Sequence, residues 1–280
     1  MSKTVQSASF KDIVKDIETF YADNSITAYC PWTCTTLNYK PLSVQQIREF
    51  IENQILGVFD VVEQMNKVIT GNCIDGKTDL AKTLSIIDRD AIIVQLRTFT
   101  KSRIEVLDEH NTTVGVDLHD VVALIKGKKP SKAIRSKIVE FKSDSGSIQL
   151  ELEIPTLHKD TLINSTFKSK FAPKLKQGTK GLEKVIDKLL GEMYFVELCK
   201  YISSITINSA DSGSTVLRFD SLDVLPQSMQ LLEKLPSNLI GAVSDYVESV
   251  KEYRDSFLSY TNSQDQPAPL EVDANIFTGI

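Results

Sequence analysis

The 280-residue sequence has an ordinary globular composition, with 41% hydrophobic and 25% charged residues, and could form one large domain or two modest ones. Its formal net charge of −5 argues against a general nucleic-acid binder, and no run of about 18 apolar residues is present to span a membrane. The first residues lack the apolar core of a signal peptide, and the four cysteines predict reduced thiols in a cytosolic setting.

The start of the sequence predicts a helix, a strand or hairpin, and a second helix. Apolar residues recur at helical spacing over Ser9–Asp23. Ser25–Leu42 is rich in threonine, aromatic and β-branched residues, which are typical of a strand or a hairpin. Ser43 then precedes Gln46 by three residues, the spacing of a capping box, and therefore predicts the start of a helix.

Two long helical periods follow. The first runs over Val44–Ile69, and the adjacent Gly71 and Asn72 predict its end. The second begins the stretch Ser85–Val106, where Asp88 is predicted to cap the helix. The apolar stripe of this second helix is wide, so we expect the helix to be buried on more than one side and to end near residue 102.

Several strands are predicted after this central helix. The segment Arg103–Leu118 indicates two strands around a polar turn at His110–Thr112. Asp120–Lys126 is short and apolar, and fits either a strand or a helical turn. Ser136–Phe141 and Ser147–Ile154 are predicted strands, and the apolar/polar alternation of the second indicates a sheet with one solvated face.

The second half of the sequence has a more helical character. Lys168–Lys184 is a lysine-rich, glycine-containing stretch that predicts a loop and a domain boundary. Leu182–Ser204 predicts a strong helix, and Ser212–Asp220 predicts a strand returning to the sheet. Val224–Tyr260 predicts helix interrupted by two prolines.

These elements predict an α+β protein: a mixed N-terminal part with a small antiparallel sheet and two long helices, followed by a mainly helical C-terminal part. The predicted units are a mixed α+β domain over residues 1–167, a mainly helical domain over 168–262, and an extended C-terminal tail over 263–280. The tail ends in the apolar pair Ile276 and Phe277, and such a tail is usually disordered unless something receives it.

A formal match to the phosphate-binding P-loop, G-x-x-x-x-G-K-[ST], occurs at Gly71–Thr78. A working P-loop follows a buried strand and leads into a helix whose N-terminal amides cradle the phosphate. Here a predicted helix precedes the loop, and no convincing second acidic motif for magnesium is present. We therefore interpret Gly71 as a helix stop, with a nucleotide site as the less favoured alternative.

The cysteines and histidines give no strong local signal. Cys30 and Cys34, with Cys73 as a conceivable third ligand, lack the two-residue spacing of zinc knuckles and thioredoxin-type redox pairs. They are interpreted as cysteines of a half-buried strand. The remaining candidates for nucleophilic catalysis are three scattered histidines, which we interpret as surface residues: His110, His119 and His158.

Charged residues are interpreted in the same way. Asp88 and Asp90 fit helix-start charges better than an acid/base couple. The lysine-rich stretches Lys126–Lys137 and Lys168–Lys180 are typically solvated, although such stretches can dock an acidic partner or a nucleic-acid backbone. No catalytic, cofactor-binding or metal-binding residue is assigned from the sequence.

Three stretches taken together resemble the baseplate hub subunit family of T4-like contractile-tailed bacteriophages. Leu37–Ile51 (LNYKPLSVQQIREFI) is similar to the family's strand, proline and helix opening. The second stretch, Asn66–Ser102, resembles three features of the family in sequence. These are a helix end, an asparagine-cysteine connector, and a helix with an aspartate, an apolar run and leucine-arginine. Ile148–Leu157 (IQLELEIPTL) resembles its closing strand and proline, and the order of the three stretches agrees.

The resemblance implies a non-enzymatic structural protein of the tail baseplate hub, made in the host cytoplasm and present in the virion. Its implied partners are other baseplate hub proteins, the tail tube initiator and the tape measure protein, with no cofactor, no membrane and no specific nucleic acid. On this interpretation, Ile276 and Phe277 are expected to anchor in a groove of such a partner.

Two alternatives remain from the sequence. The chain could be a hub assembly chaperone that is absent from the mature virion. Less favoured is a P-loop NTPase that uses Gly71–Thr78, in which Lys77→Ala would remove phosphate affinity.

Overall fold

The computed structural model describes residues 19, 23–56, 58–76, 79–175, 191, 194–209, 213–219, 230–273 and 275–278. The helix predicted over Ser9–Asp23 therefore lies outside the described residues, apart from positions 19 and 23. Most of the stretch Lys168–Lys184 and the first part of the helix predicted over Leu182–Ser204 also lie outside them.

In the described residues, pairs of consecutive strands alternate with helices. The helices are α1 Val44–Leu56, α2 Val58–Asn72, α3 Leu80–Thr83, α4 Ile86–Thr100, α5 Leu118–Ile125, α6 Lys132–Arg135, α7 Leu157–Leu175, α8 194–201, α9 Ser237–Asp255 and α10 Asn275–Thr278. The strands are β1 Ile26–Cys30, β2 Thr35–Tyr39, β3 Arg103–Leu107, β4 Thr113–Asp117, β5 Ser136–Ser143, β6 Gly146–Glu153, β7 Ile202–Ser209, β8 Gly213–Arg218, β9 Ser259–Thr261 and β10 Pro267–Pro269.

The hairpin and the helix start predicted near the beginning of the chain are confirmed. β1 and β2 form an antiparallel hairpin, with Ile26 opposite Tyr39 and Cys30 opposite Thr35. At the start of α1, the Gln46 N–H donates to Ser43 Oγ at 3.1 Å and the Ser43 N–H donates to Gln46 Oε1 at 3.0 Å. This reciprocal pair is the expected capping box, which satisfies two amides that the helix leaves without partners.

The long helix predicted over Val44–Ile69 is two helices, α1 and α2, with residue 57 outside the described positions. α2 ends at Asn72, so the stop predicted at Gly71 and Asn72 is confirmed. Beyond it the backbone runs beside β2, because the Ile74 N–H donates to Asn38 O at 2.9 Å and the Lys40 N–H donates to Asn72 O at 2.8 Å.

The central helix is α4, and every residue from Ile87 to Arg97 is buried, which confirms the prediction of burial on more than one side. The predicted cap is wrong by three residues. Ser85 is the N-cap, its Oγ accepts from the Asp88 N–H at 3.1 Å, and the Asp88 carboxylate accepts from the Ser85 N–H at 3.1 Å. Asp88 is thus the acidic partner of a capping box, one turn inside the helix.

The β3–β4 hairpin and the β5–β6 hairpin lie where the sequence predicts them, and the predicted solvated face is confirmed. Leu150 and Leu152 are buried, whereas Glu151 and Glu153 are exposed. The segment Asp120–Lys126, for which the sequence allowed two structures, lies largely in helix α5.

The predicted fold class is wrong for the C-terminal half, which is not mainly helical. β7 and β8 extend the β5–β6 hairpin into a four-stranded antiparallel sheet in the order β5-β6-β7-β8. The helix predicted over Leu182–Ser204 changes to strand at Ile202, where the β-branched run ISSITI pairs with β6. The returning strand predicted over Ser212–Asp220 is confirmed as β8.

The sheet joins strands from both sides of the predicted boundary at residues 167 and 168. Those two residues lie inside α7, which continues to Leu175. The prediction of a loop over Lys168–Lys184 is therefore wrong for residues 168–175, which are helical. The division into domains at this point stays a prediction.

The described residues after α9 fold back onto the rest of the chain. After α9, β9 and β10 form a short hairpin, and α10 follows. The Leu270 N–H donates to Leu258 O at 2.8 Å, which continues the hairpin by one hydrogen bond. The prediction of an extended tail over 263–280 is therefore corrected for the described positions, 263–273 and 275–278. Residues 259–273 and 275–278 are called the C-terminal strap below.

Candidate functional site

The P-loop-like segment does not have a P-loop's surroundings in the part of the chain that is described. Helix α2 leads into the segment Gly71–Thr78 and includes its first two residues, and the four-residue α3 follows it. The Asp75 carboxylate accepts from the backbone N–H of Asn38 at 2.8 Å and from its side-chain amide at 2.9 Å, which fastens the loop to β2. Lys77 and Thr78 lie outside the described residues.

None of the four cysteines forms a disulfide, and they lie in two environments. Cys30 and Cys199 are buried, and Cys34 and Cys73 are half-buried. Burial raises the pKa of the Cys199 thiol to about 12, which makes it a poor nucleophile. Arg135 Nη2 donates to Cys34 Sγ at 3.3 Å. Among the described residues, no group of three or more His, Cys, Asp or Glu side chains is placed to hold a metal ion.

The structure does not gather the other candidates into one site. All three histidines are exposed, as the sequence predicted: His110, His119 and His158. The carboxylates of Asp88 and Asp90 have different partners, since Asp88 Oδ1 accepts from the amides of the β1–β2 turn, including Trp32 N at 2.9 Å. Most basic side chains of the stretch Lys126–Lys137 are exposed, and Lys168 pairs with Asp60.

A chain of buried ion pairs crosses the centre of the molecule through α4. Lys200 on α8 lies 3.0 Å from Asp160 on α7, and Asp160 lies 2.8 Å from Arg89. Arg89 lies 2.9 Å from Asp90, and Asp90 lies 3.0 Å from Arg254 on α9. Positive and negative groups alternate along the whole chain, so each buried charge has opposite neighbours.

For four members of the chain, these contacts shift the pKa in the direction that keeps the group ionised: Asp160, Arg89, Lys200 and Arg254. Burial alone would raise the pKa of the Asp160 carboxyl, but Lys200 and Arg89 outweigh burial and lower it. Burial would lower the pKa of the Arg89 guanidinium, but Asp90 and Asp160 raise it. Removing Arg89 would take from both Asp90 and Asp160 one of the two cations beside each buried carboxylate, which is destabilising.

The end of α4 holds the C-terminal strap. Arg97 Nε donates to Ile276 O at 2.8 Å and Arg97 Nη2 donates to Phe277 O at 3.1 Å. The Phe277 ring stacks on Phe50 of α1, with centroids 3.8 Å apart and planes 3° from parallel. The structure thus contradicts the expectation that Ile276 and Phe277 anchor in a partner, because both are buried in this chain's own core.

Two further contacts fix the strap. Arg254 Nη2 donates to Leu270 O at 3.2 Å, which ties the strap to the ion-pair chain. Asp108, just after β3, accepts from both the N–H and the hydroxyl of Ser263. The hydroxyl of Ser263 is the main reason that the pKa of the Asp108 carboxyl falls to about 2.

The attached strap forms one wall of a groove with a volume of about 620 Å³. β3 and the start of β4 form the other wall. The lining is apolar, with Val106, Leu107, Tyr260 and Ile276 among its residues, and carries an acidic rim. The carboxylates at the groove belong to Glu105, Glu109, Glu271 and Asp273, and no lysine or arginine lines it among the described residues.

Neither the contact of Arg97 with the C-terminal strap nor the groove was predicted from the sequence. A usable signal existed, because Arg89, Asp90 and Arg97 stand inside a helix that the apolar pattern predicts to be buried on more than one side. Charges in such a helix need partners, and elements distant in sequence must supply them. The groove has no comparable signal, since its walls come together only when the strap folds back.

Comparisons of the chain with protein-family models, with curated proteins and with solved structures found no match. Within the described residues, none of the helices combines the length and the apolar character needed to cross a membrane.

Proposed function

We propose that this chain is a structural protein of the baseplate hub of a contractile-tailed bacteriophage. Its partners in that role are other hub proteins, the tail tube initiator and the tape measure protein. The proposal rests on the three stretches that resemble the hub subunit family, in the same order along the chain.

The local structure of those stretches supports the proposal. Leu37–Ile51 contains the end of β2, a proline and the capped start of α1. Asn66–Ser102 contains the end of α2, the connector and α4, with residues 77 and 78 outside the described part. Ile148–Leu157 contains most of β6, then Pro155 and the first residue of α7. The order of strand, proline and helix on which the resemblance rests is thus present in the described part of these stretches.

A hub protein works by presenting fixed surfaces to its neighbours, and the core of this chain suits that task. The alternating ion pairs join α4, α7, α8 and α9, and the strap closes over α4 and α1. Such a frame gives interface residues little freedom to rearrange, which lowers the entropic cost of assembly.

The decisive test uses the phage whose genome encodes the chain. An amber mutation in the gene, complemented in trans by the wild-type gene, should abolish and then restore infectious tails. Mass spectrometry of purified particles should detect the chain at a stoichiometry constant relative to other hub proteins. Detection in hub intermediates but not in particles would instead identify an assembly chaperone. Normal tails without the gene product would refute both roles.

A further inference from the structure

We propose that the groove between β3 and the C-terminal strap binds an extended, basic segment of a partner protein, which pairs with β3 as an added strand. The inference rests on the groove alone and does not depend on the baseplate assignment. Three observations carry it: the free edge of β3, the blocked edge of the opposite wall, and the charge of the rim.

The first observation is that the groove follows the outer edge of β3. Four consecutive residues of β3, Ile104–Leu107, line it, whereas β4 contributes only Thr113 at the hairpin end. Consecutive strand residues point to opposite faces, so lining by all four places the groove beside the strand and not over one face. Among the described strands, β3 pairs with β4 alone.

The backbone groups on this edge have no partner within the described residues. Ladder bonds lie at Leu118 N to Ser102 O, 2.7 Å, and at Asp108 N to Thr112 O, 3.0 Å. Because hydrogen-bonded positions alternate along an antiparallel strand, even-numbered residues of β3 pair with β4 and odd-numbered residues point outward. The outward residues are Arg103, Glu105 and Leu107.

The second observation is that the edge of β10, on the opposite wall, cannot pair with an incoming strand. Leu270 N donates to Leu258 O, so the outward positions of β10 are Pro267 and Pro269. Proline has no N–H, and prolines on an edge strand prevent further pairing. An incoming strand therefore has one edge to join, that of β3.

The size of the groove suits a single extended chain. Four residues of β3 span about 13 Å, and the groove, with a volume of about 620 Å³, runs beside all four of them. An incoming strand lies at the usual spacing of about 4.8 Å from β3, with side chains against the apolar lining.

The third observation is the charge of the rim, which selects the occupant. Four carboxylates and no lysine or arginine line the groove among the described residues. Three of these carboxylates are partly engaged, since Glu271 lies 3.7 Å from Arg254, Glu109 lies 3.6 Å from His110, and Asp273 accepts from the Asn275 N–H at 2.8 Å. The side chains of Glu271 and Glu109 remain more than half exposed, so they attract lysine or arginine of an incoming segment.

The test uses the purified full-length chain and synthetic peptides. The probe is a ten-residue peptide in which lysine alternates with valine, and the control carries glutamate in place of every lysine. Calorimetric titration at low salt should show one lysine peptide bound per chain and no binding of the control. Raising the salt should weaken binding, because the rim charges are exposed.

Two matched variants separate strand pairing from charge. Glu105→Pro removes an outward N–H that has no partner among the described residues, and should weaken binding by about tenfold or more. Glu105→Gln keeps that N–H and removes one exposed charge, so it should weaken binding only about two- to fivefold. Amide exchange at Glu105 and Leu107 should slow when the peptide is bound.

Two N-methylated peptides keep the test valid even if Glu105→Pro fails to fold. One peptide is methylated at every valine amide and the other at every lysine amide, so each blocks one edge of the strand. Only one of them should lose binding, because only one edge faces β3. Equal binding of both would overturn the proposal, as would no binding of the unmodified peptide. Dimerisation of the chain through β3, abolished by Glu105→Pro, would identify a second copy as the occupant and also overturn it.

Discussion

Phe277→Ala tests whether the C-terminal strap is part of the folded core. The Phe277 side chain is 3% exposed and stacks on Phe50, whose side chain is fully buried. Truncating a buried phenylalanine to alanine costs about 3–5 kcal/mol, and a stacked aromatic pair adds about 0.5–1.5 kcal/mol beyond area burial. The free energy lost on substitution cannot exceed the free energy with which α10 docks, because an undocked α10 no longer contributes to stability.

We therefore expect Phe277→Ala to lower the free energy of unfolding by about 3 kcal/mol, measured by urea denaturation. With a slope of about 3 kcal/mol/M for a chain of this size, the midpoint should fall by about 1 M. Phe99→Ala is the matched control, because Phe99 is a phenylalanine of α4 that is 56% exposed. It should change stability by no more than about 0.5 kcal/mol.

A double-mutant cycle with Phe50→Ala completes the test. If the two rings stack, the cost of the double variant should differ from the sum of the single costs by about 1 kcal/mol or more. Additive costs, or a Phe277→Ala variant as stable as the wild type, would refute the stacking and the docked strap.

Three other predictions concern the sheet, the thiols and the strap contact. Gly146→Ala should destabilise by at least about 2 kcal/mol, because Gly146 has φ +149° and a Cβ there would lie 1.9 Å from a backbone oxygen of β7. Gly71→Ala, with nothing within 4 Å, should instead stabilise α2 by up to about 1 kcal/mol; calorimetric melting compares the two variants. In the native protein an aromatic disulfide reagent should modify Cys34 and Cys73 quickly and the two buried cysteines only after unfolding. The pKa of Asp108 is lowered to about 2 from an unfolded value of about 3.9, so its contribution to stability is present above pH 4 and is lost as the pH falls toward 2. Between pH 4 and pH 2, the free energy of unfolding of Asp108→Asn should fall less than that of the wild type, as measured by urea unfolding at each pH.

The elements set by local chemistry were predictable from the sequence. The Ser43 and Gln46 capping box, the helix end at Asn72 and the two hairpins after α4 depend on residues within a few positions of one another. For the same reason, the burial of α4 followed from its apolar pattern, although its cap was placed on the wrong member of the Ser85 and Asp88 pair.

The errors lie where distant parts of the chain decide the structure. The run ISSITI at the start of β7 follows a strong helical pattern, and its strand conformation depends on the free edge of β6, some fifty residues earlier. The apolar residues Ile276 and Phe277 at the end of the strap have the composition of a segment that binds a partner. It is buried instead by Phe50 and Arg97, which lie about 180 or more residues away in sequence.

Amide hydrogen exchange of the free protein shows whether the C-terminal strap folds back to form one wall of the groove. We expect the Leu270 amide, bonded to Leu258 O at 2.8 Å, to exchange slowly, with protection close to that of α4. Exchange of this amide at the rate of an unfolded chain, with α4 still protected, would show that the strap is not docked.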